Sequence, residues 1–392
     1  MPVERMATMD FGFNSDQQLL QSTLSEFARR ELLPSYAVHD ADVDLPRDLI
    51  VQLGQMGLLA PTVGPAFGGQ DLDHVALGIA HEEIARGDFN AAYVMMLSAL
   101  TGVILAEHGD DRQRAAFLPE ICAGRVLPAL AVTEPGRGSD AAHVTFSARR
   151  DGDEYILNGE KSSISFASYA DCALVMARTG TAEAGARGVS AFYVDLHSTG
   201  ISRSRFLDLG TRAIGRGQLF FDAVRVPAAN RVGPEGAGFV EVMKGFDFSR
   251  VLIALMCIGA AEQSLEETCR YVTERQAFGG SLARFEGVSF PLAEAAVKLR
   301  AARLLCYESL WLKDRGLPHT AEAAGCKWLG PELAVEVLHQ CLLLHGHLGF
   351  SRDLPHQQRM RDVIGLEIGD GTAQIMKLVV ARGLLGEVSR PY

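Results

Sequence analysis

The chain has 392 residues, 48% of them apolar, with a formal net charge of −11 and seven cysteines. That length suffices for two or three packed units with large cores, and an acidic balance without any Lys/Arg tract argues against nucleic acid as the main partner. The longest apolar runs, such as Val251–Cys257, are too short to span a bilayer, and the cysteines are scattered and never paired as C-x-x-C, so neither a disulfide framework nor a zinc site is indicated. Met1–Asp10 has no apolar h-region and Arg390–Tyr392 no lipidation signal, so the expectation is a cytoplasmic protein with reduced thiols and no membrane partner.

From Ser15, taken as a cap, the pattern is helical, with Leu20, Leu24 and Phe27 on one face before Pro34 ends it. Asp48–Leu59, Asp73–Arg86, Ala91–His108 and Arg112–Ala123 continue in the same way, which predicts a helical domain over 1–125. In it, Met95-Met96 reads as core and Glu82-Glu83 as a solvated helix face. Short β-rich runs then follow at Thr145–Arg149, Tyr155–Leu157, Ala173–Ala177, Ser190–Val194 and Gln218–Val226. Asp151-Gly152-Asp153 and Asn158-Gly159 read as hairpin turns and Thr179–Arg187 as an exposed hairpin loop, so 126–235 is predicted to be a mainly antiparallel β domain. Phe239–Arg275, Pro291–Gly316, Thr320–Leu344 and Ala373–Glu387 are long and amphipathic, predicting a four-helix bundle over 236–392 and an α+β fold class overall.

Several stretches carry possible chemistry. Gly369-Asp370-Gly371-Thr372 sets a carboxylate between two glycines, directly before a Thr that can cap the next helix. Asp370 is there either a catalytic base or an ordinary turn residue. Thr133-Glu134-Pro135-Gly136-Arg137-Gly138-Ser139-Asp140 follows the apolar strand Val126–Val132, and Gly159-Glu160-Lys161-Ser162-Ser163-Ile164-Ser165 offers a second hydroxyl cluster; both suit a flat polar ligand or a solvated loop. Glu274-Arg275-Gln276-Ala277-Phe278-Gly279 and His345-Gly346-His347-Leu348-Gly349-Phe350 complete the set. His345 and His347, without further placed ligands, read as a loop rather than a metal site.

Thr-Glu-Pro-Gly-x-Gly-Ser-Asp, Asn-Gly-Glu-Lys, Glu-Arg-x-x-Phe-Gly, His-Gly-x-x-Gly-Phe, Arg-Asp and Gly-Thr-x-Gln-Ile, in this order, resemble the acyl-CoA dehydrogenase family over essentially the whole chain. The resemblance implies FAD bound between the β domain and the C-terminal bundle, and a homotetramer in which a neighbouring subunit completes each flavin site. It implies an acyl-CoA substrate and an electron-transferring flavoprotein or similar acceptor. Thr133, Ser139 and Ser165 would lie near the flavin or the thioester. Arg275 and Phe278 would reach the FAD of the partner subunit, Gly346 and Gly349 would let backbone pass close to the cofactor, and Thr372 and Gln374 would also contact it. Ser139, Asp247, Arg250 and Gly371 fall at the substrate end. Asp370 would take the α-proton while the β-hydrogen leaves as hydride, its own N–H helping to polarise the thioester carbonyl.

Four positions depart from the pattern: Asp370 where most relatives hold Glu, Ser163 where many hold Trp, Glu286 where Gln is usual, and His347 in place of a glycine. Ser249 closes the alternative of a Glu base on the earlier helix. The wording around Asp370 and Lys161–Ser165 looks most like the branch acting on cyclohexanecarboxyl-CoA and cyclohex-1-ene-1-carboxyl-CoA. Asp88 is then either a second carboxylate for 1,4-dehydrogenation or a helix cap. A nitroalkane-oxidase-like flavin oxidase and an enoyl-CoA reductase running in reverse are the alternative functions.

Overall fold

The computed structural model describes residues 12–40 and 44–389; the expectations for Met1–Asp10 and Arg390–Tyr392 lie outside them. Five helices come first: α1 (Ser15–Phe27), α2 (Arg47–Gln55), α3 (His74–Gly87), α4 (Phe89–His108) and α5 (Asp111–Cys122). The cap of α1 is Asn14 rather than Ser15: its side chain accepts from the Gln17 N–H and Gln17 bonds back, a capping box. Helix α4 is long and apolar enough to cross a membrane, but 83% of its apolar window is buried among the other helices, so it is a core helix. Met95 and Met96 lie in that core as expected.

Eight strands follow: β1 (Pro128–Ala131), β2 (Ser147–Asp151), β3 (Glu154–Ile164), β4 (Cys172–Arg178), β5 (Val189–Asp195), β6 (Ile201–Arg205), β7 (Gly217–Pro227) and β8 (Arg231–Val232). They form one sheet in the order β6-β7-β3-β2-β4-β5-β8, mostly antiparallel, with β1 added parallel to β4. Asp151-Gly152-Asp153 is the β2–β3 turn. Asn158-Gly159 is not a turn: it lies inside β3, where pairing with β7 shifts register between Leu157 and Gly159. Long-range strand pairing overrides the local turn signal there, and the sequence Asn-Gly marks a bulge instead.

Helix α6 (Gly238–Glu274), a short hairpin of β9 (Gln276–Ala277) and β10 (Gly280–Ser281), α7 (Glu286–Asp314), α8 (Thr320–Leu344), α9 (His347–Phe350), α10 (His356–Ile364) and α11 (Ala373–Leu385) complete the chain. Helices α6, α7, α8 and α11 make the bundle; α6 is apolar on all sides from Val251 to Ile258 because it packs on α3, α4, α7 and α8 together. Glu82 and Glu83 are buried, not solvated: Glu82 accepts from Arg303 Nε at 2.5 Å and from the Tyr307 hydroxyl at 2.7 Å, partners supplied by α7. Two charged residues of α10 tie the units together. Asp362 accepts from the Tyr36 hydroxyl at 2.6 Å and the Thr211 N–H at 2.5 Å, while Arg361 donates to Leu209 O and Asp40 Oδ2, each at 2.8 Å. The segment carrying Asp370 begins at Gly365, three residues past Asp362, so its position is referred to all three units.

Candidate active site

Asp370 stands on the turn between α10 and α11 with φ +54°, followed by Gly371 at φ +99°. A side chain at 371 is disfavoured, since that φ strains any L residue and a Cβ there would sit 2.6 Å from Met376 Cε, forcing the Met376 side chain to shift. Thr372 caps α11 as expected, Oγ1 accepting from the Ile375 N–H at 3.4 Å. The Asp370 carboxyl is turned inward: Oδ2 is buried and has no hydrogen-bond partner among the described residues. Among the described residues its backbone N–H also lacks a partner. Both groups of one residue are thus left free in a protein interior, where polar groups are otherwise paired.

Burial pushes the Asp370 carboxyl above the usual carboxylate range, and the charges of Lys327 and Arg250 pull it part of the way back. Lys327, on α8, is buried and donates to Leu366 O at 2.6 Å and Gly371 O at 3.0 Å. Arg250, on α6, is buried and pairs with Asp247 at 2.9 Å; Asp247 in turn accepts from the Thr320 hydroxyl at 2.6 Å, and Arg250 Nε has no partner. On the β-domain side, Ser165 lies 3.1 Å from the Tyr93 hydroxyl, which burial and then the Asp370 charge push up to about 12. Asp370, Asp247, Arg250, Gly371, Thr372 and Ser165 are therefore brought into one neighbourhood. Tyr93 and Lys327 belong to it too and were not anticipated; a single Lys within Ala323–Gly330, otherwise small or apolar, was the available signal for the latter.

The Thr-Glu-Pro-Gly loop is held from inside. Glu134 pairs with Lys161 Nζ at 2.9 Å and accepts from Thr145 N and Oγ1 and from Phe146 N, while Lys161 also donates to Val132 O. Burial raises the Glu134 carboxyl, but the Lys161 charge and these amides outweigh it and leave it below its ordinary range; burial lowers Lys161 to about 8. This pair fixes the loop against β3, where the Ser162 N–H donates to Thr133 O at 2.9 Å. Thr133 is half-buried at that junction and Ser139 exposed beyond it.

Arg275, Phe278, Gly346 and Gly349 gather elsewhere. Arg275 follows α6, 25 residues beyond Arg250, or roughly 37 Å at the helical rise. Its guanidinium is exposed without an ion-pair partner among the described residues, and Phe278 at the tip of the β9–β10 hairpin is 96% exposed. Gly346 and Gly349 lie past the far end of α8 from Lys327. At Gly349 a Cβ would come within 2.1 Å of Leu342 O, so its own backbone already demands glycine. Gln374 is exposed on the first turn of α11. Asp88 caps α4, accepting from the Asn90 and Ala91 N–H groups, and contacts His39 Nδ1 at 2.5 Å, so every contact it makes is structural.

Comparison with known proteins agrees with this layout. Family models described as the N-terminal, middle and C-terminal domains of acyl-CoA dehydrogenase match residues 14–125, 129–224 and 236–385. The chain is 32% identical to the probable acyl-CoA dehydrogenase YngJ of Bacillus subtilis over 96% of this chain and 100% of that one. It is 34% identical to the mitochondrial short-chain specific acyl-CoA dehydrogenase of Rattus norvegicus, over 94% and 90%. It also superposes on butyryl-CoA dehydrogenase from Megasphaera elsdenii with a TM-score of 0.92, at 29% identity and covering 96% and 100%. A three-part match along the chain, joined to an inward carboxylate at the meeting point of the three parts, leaves one conclusion: the chain belongs to the acyl-CoA dehydrogenase family and is an FAD-dependent oxidoreductase that dehydrogenates an acyl-CoA thioester.

Proposed function

We propose that Asp370 is the base that removes the α-proton of the thioester. The observation that carries this is the buried Asp370 Oδ2 without a partner, on a turn held open by two consecutive positive-φ residues. A carboxylate raised by burial is a stronger base, which suits a weakly acidic C–H bond near neutral pH. The unpartnered Asp370 N–H is a donor for the thioester carbonyl, so one residue serves with side chain and main chain. Arg250, with its Nε free, and Asp247 shape the substrate end together with Ser139 and Gly371.

The residues present fit FAD. Arg275 offers a guanidinium unpaired among the described residues and suited to a pyrophosphate, Ser165 and Thr372 offer hydroxyls near Asp370, and Thr133 offers one at the junction of the Thr-Glu-Pro-Gly loop with β3. FAD, when bound, supplies the acceptor that takes the β-hydrogen as hydride. Thr133, Ser139, Ser165, Thr372 and Gln374 hold it at the Asp370 end, and Arg275, Phe278, Gly346 and Gly349 hold the FAD of a neighbouring subunit. The roughly 37 Å between Arg250 and Arg275 along α6 supports such sharing, as do the exposed Phe278, Phe290, Val297 and Phe350 on the bundle, and a homotetramer satisfies both. The seven unpaired cysteines, six of them buried, support a reducing cytoplasmic setting with an electron-transferring flavoprotein or similar acceptor.

For the acyl group we infer a ring, of the cyclohexanecarboxyl-CoA type. A base one methylene shorter than the usual Glu, and an exposed Ser163 at φ +59° where a bulky wall is common, both leave room at the α-carbon. The short-chain and butyryl names of the relatives favour a second reading, a short straight-chain acyl group. Anaerobic mixing with cyclohexanecarboxyl-CoA, cyclohex-1-ene-1-carboxyl-CoA and butyryl-CoA, following flavin absorbance, separates them. Fast bleaching by butyryl-CoA alone would overturn the alicyclic reading.

A further inference from the structure

Lys327 is 1% exposed on the third turn of α8, in the run Ala323-Ala324-Gly325-Cys326-Lys327-Trp328-Leu329-Gly330 where every other residue is small or apolar. Taking an ammonium out of water is expensive unless it is paired. Lys327 nevertheless forms no salt bridge and no hydrogen bond to a carboxylate among the described residues; its two hydrogen bonds go to the carbonyls of Leu366 and Gly371, at 2.6 and 3.0 Å. These carbonyls bracket Asp370, one four residues before it and one directly after. The enclosed segment holds two consecutive left-handed residues, Asp370 and Gly371, a conformation a non-glycine residue keeps only when its surroundings enforce it.

The other groups facing this point do not duplicate the role. Arg250 on α6 is committed to Asp247, Tyr93 on α4 to Ser165, Cys257 on α6 is a buried thiol, and Glu367 on the same turn favours the charged form of Lys327 from a distance without bonding to it. Among the described residues, Lys327 is the cation near Asp370 that is bonded to no carboxylate. We propose that Lys327 is the positioning residue for Asp370: from α8 its ammonium pins the Leu366 and Gly371 carbonyls, fixing the turn, and sets a positive charge not tied up in an ion pair beside the carboxylate. This rests on Asp370 being the base.

The test uses flavin-loaded Lys327→Met and Lys327→Arg, with Asp370→Asn as control. Two readouts are taken: the pH dependence of anaerobic flavin reduction, and hydrogen exchange of the 365–376 segment without substrate. Losing a neighbouring cation makes the carboxylate harder to ionise, so the acid limb of Lys327→Met moves up by about one pH unit, and the 369–371 amides exchange about tenfold faster. Lys327→Arg keeps the charge and restores the limb while reducing the maximal rate several-fold. A limb and an exchange rate unchanged in Lys327→Met overturn the proposal. If that variant does not accumulate folded, Lys327→Arg decides: wild-type rate and wild-type exchange overturn it. Asp370→Asn that still reduces flavin normally removes the base reading itself, whereas an inactive Asp370→Asn beside an unshifted Lys327→Met limb removes only the role of Lys327.

Discussion

Two buried carboxylates of this chain make an instructive pair. Glu134 and Asp370 both sit in glycine-containing turns at the ends of regular elements, and both have a lysine nearby. Glu134 takes four hydrogen bonds from its own chain, Lys161 among them, and ends up below its ordinary range. Asp370 Oδ2 takes none, its lysine is turned to the backbone instead, and burial raises it. A satisfied carboxylate organises a loop, and an unsatisfied one waits for a ligand.

The contrast can be broken at several points. The largest effect on stability is expected at the satisfied end: Lys161→Met strands Glu134 in the interior and costs about 3–5 kcal/mol, read by chemical denaturation. A loss under 1 kcal/mol would show that the loop does not depend on the pair. Arg275→Ala, at the exposed end of the bundle, should weaken FAD retention by about 2 kcal/mol, roughly 30-fold. Full flavin content after extensive dialysis would remove its assigned role. Gly371→Ala forces a Cβ onto Met376 in a left-handed turn and is expected to cost about 1–2 kcal/mol and to slow flavin reduction. The smallest effect is in pH: Asp370 must be ionised to accept a proton, so activity is lost as pH falls through its raised pKa. The acid limb should therefore lie above the ordinary Asp value of about 3.9.

How much of this was legible in the sequence depended on how local the cause was. The Thr372 cap, the Asp151-Gly152-Asp153 turn and the four long bundle helices follow from short-range chemistry and periodicity, and the structure has them. Helix α10 was hidden because it is polar nearly throughout, and His356, Gln358, Arg359 and Asp362 are buried only because distant segments supply partners such as Ser264, Glu267 and Tyr36. Glu82 and Glu83 misled for the same reason, since the α7 residues that bury Glu82 are more than two hundred positions away. Lys327 shows the limit most clearly: nothing local says that a helix lysine points inward to two carbonyls. Polar side chains in this chain are read correctly only when their partners are known.

The most direct test of Asp370 is single-turnover flavin reduction by Asp370→Asn, mixed anaerobically with an acyl-CoA that bleaches the wild type. Asparagine keeps the shape and removes the base. The expected result is retained FAD, retained acyl-CoA binding and a rate lower by about 10³–10⁴-fold. Reduction at close to the wild-type rate would place the base elsewhere and contradict the account.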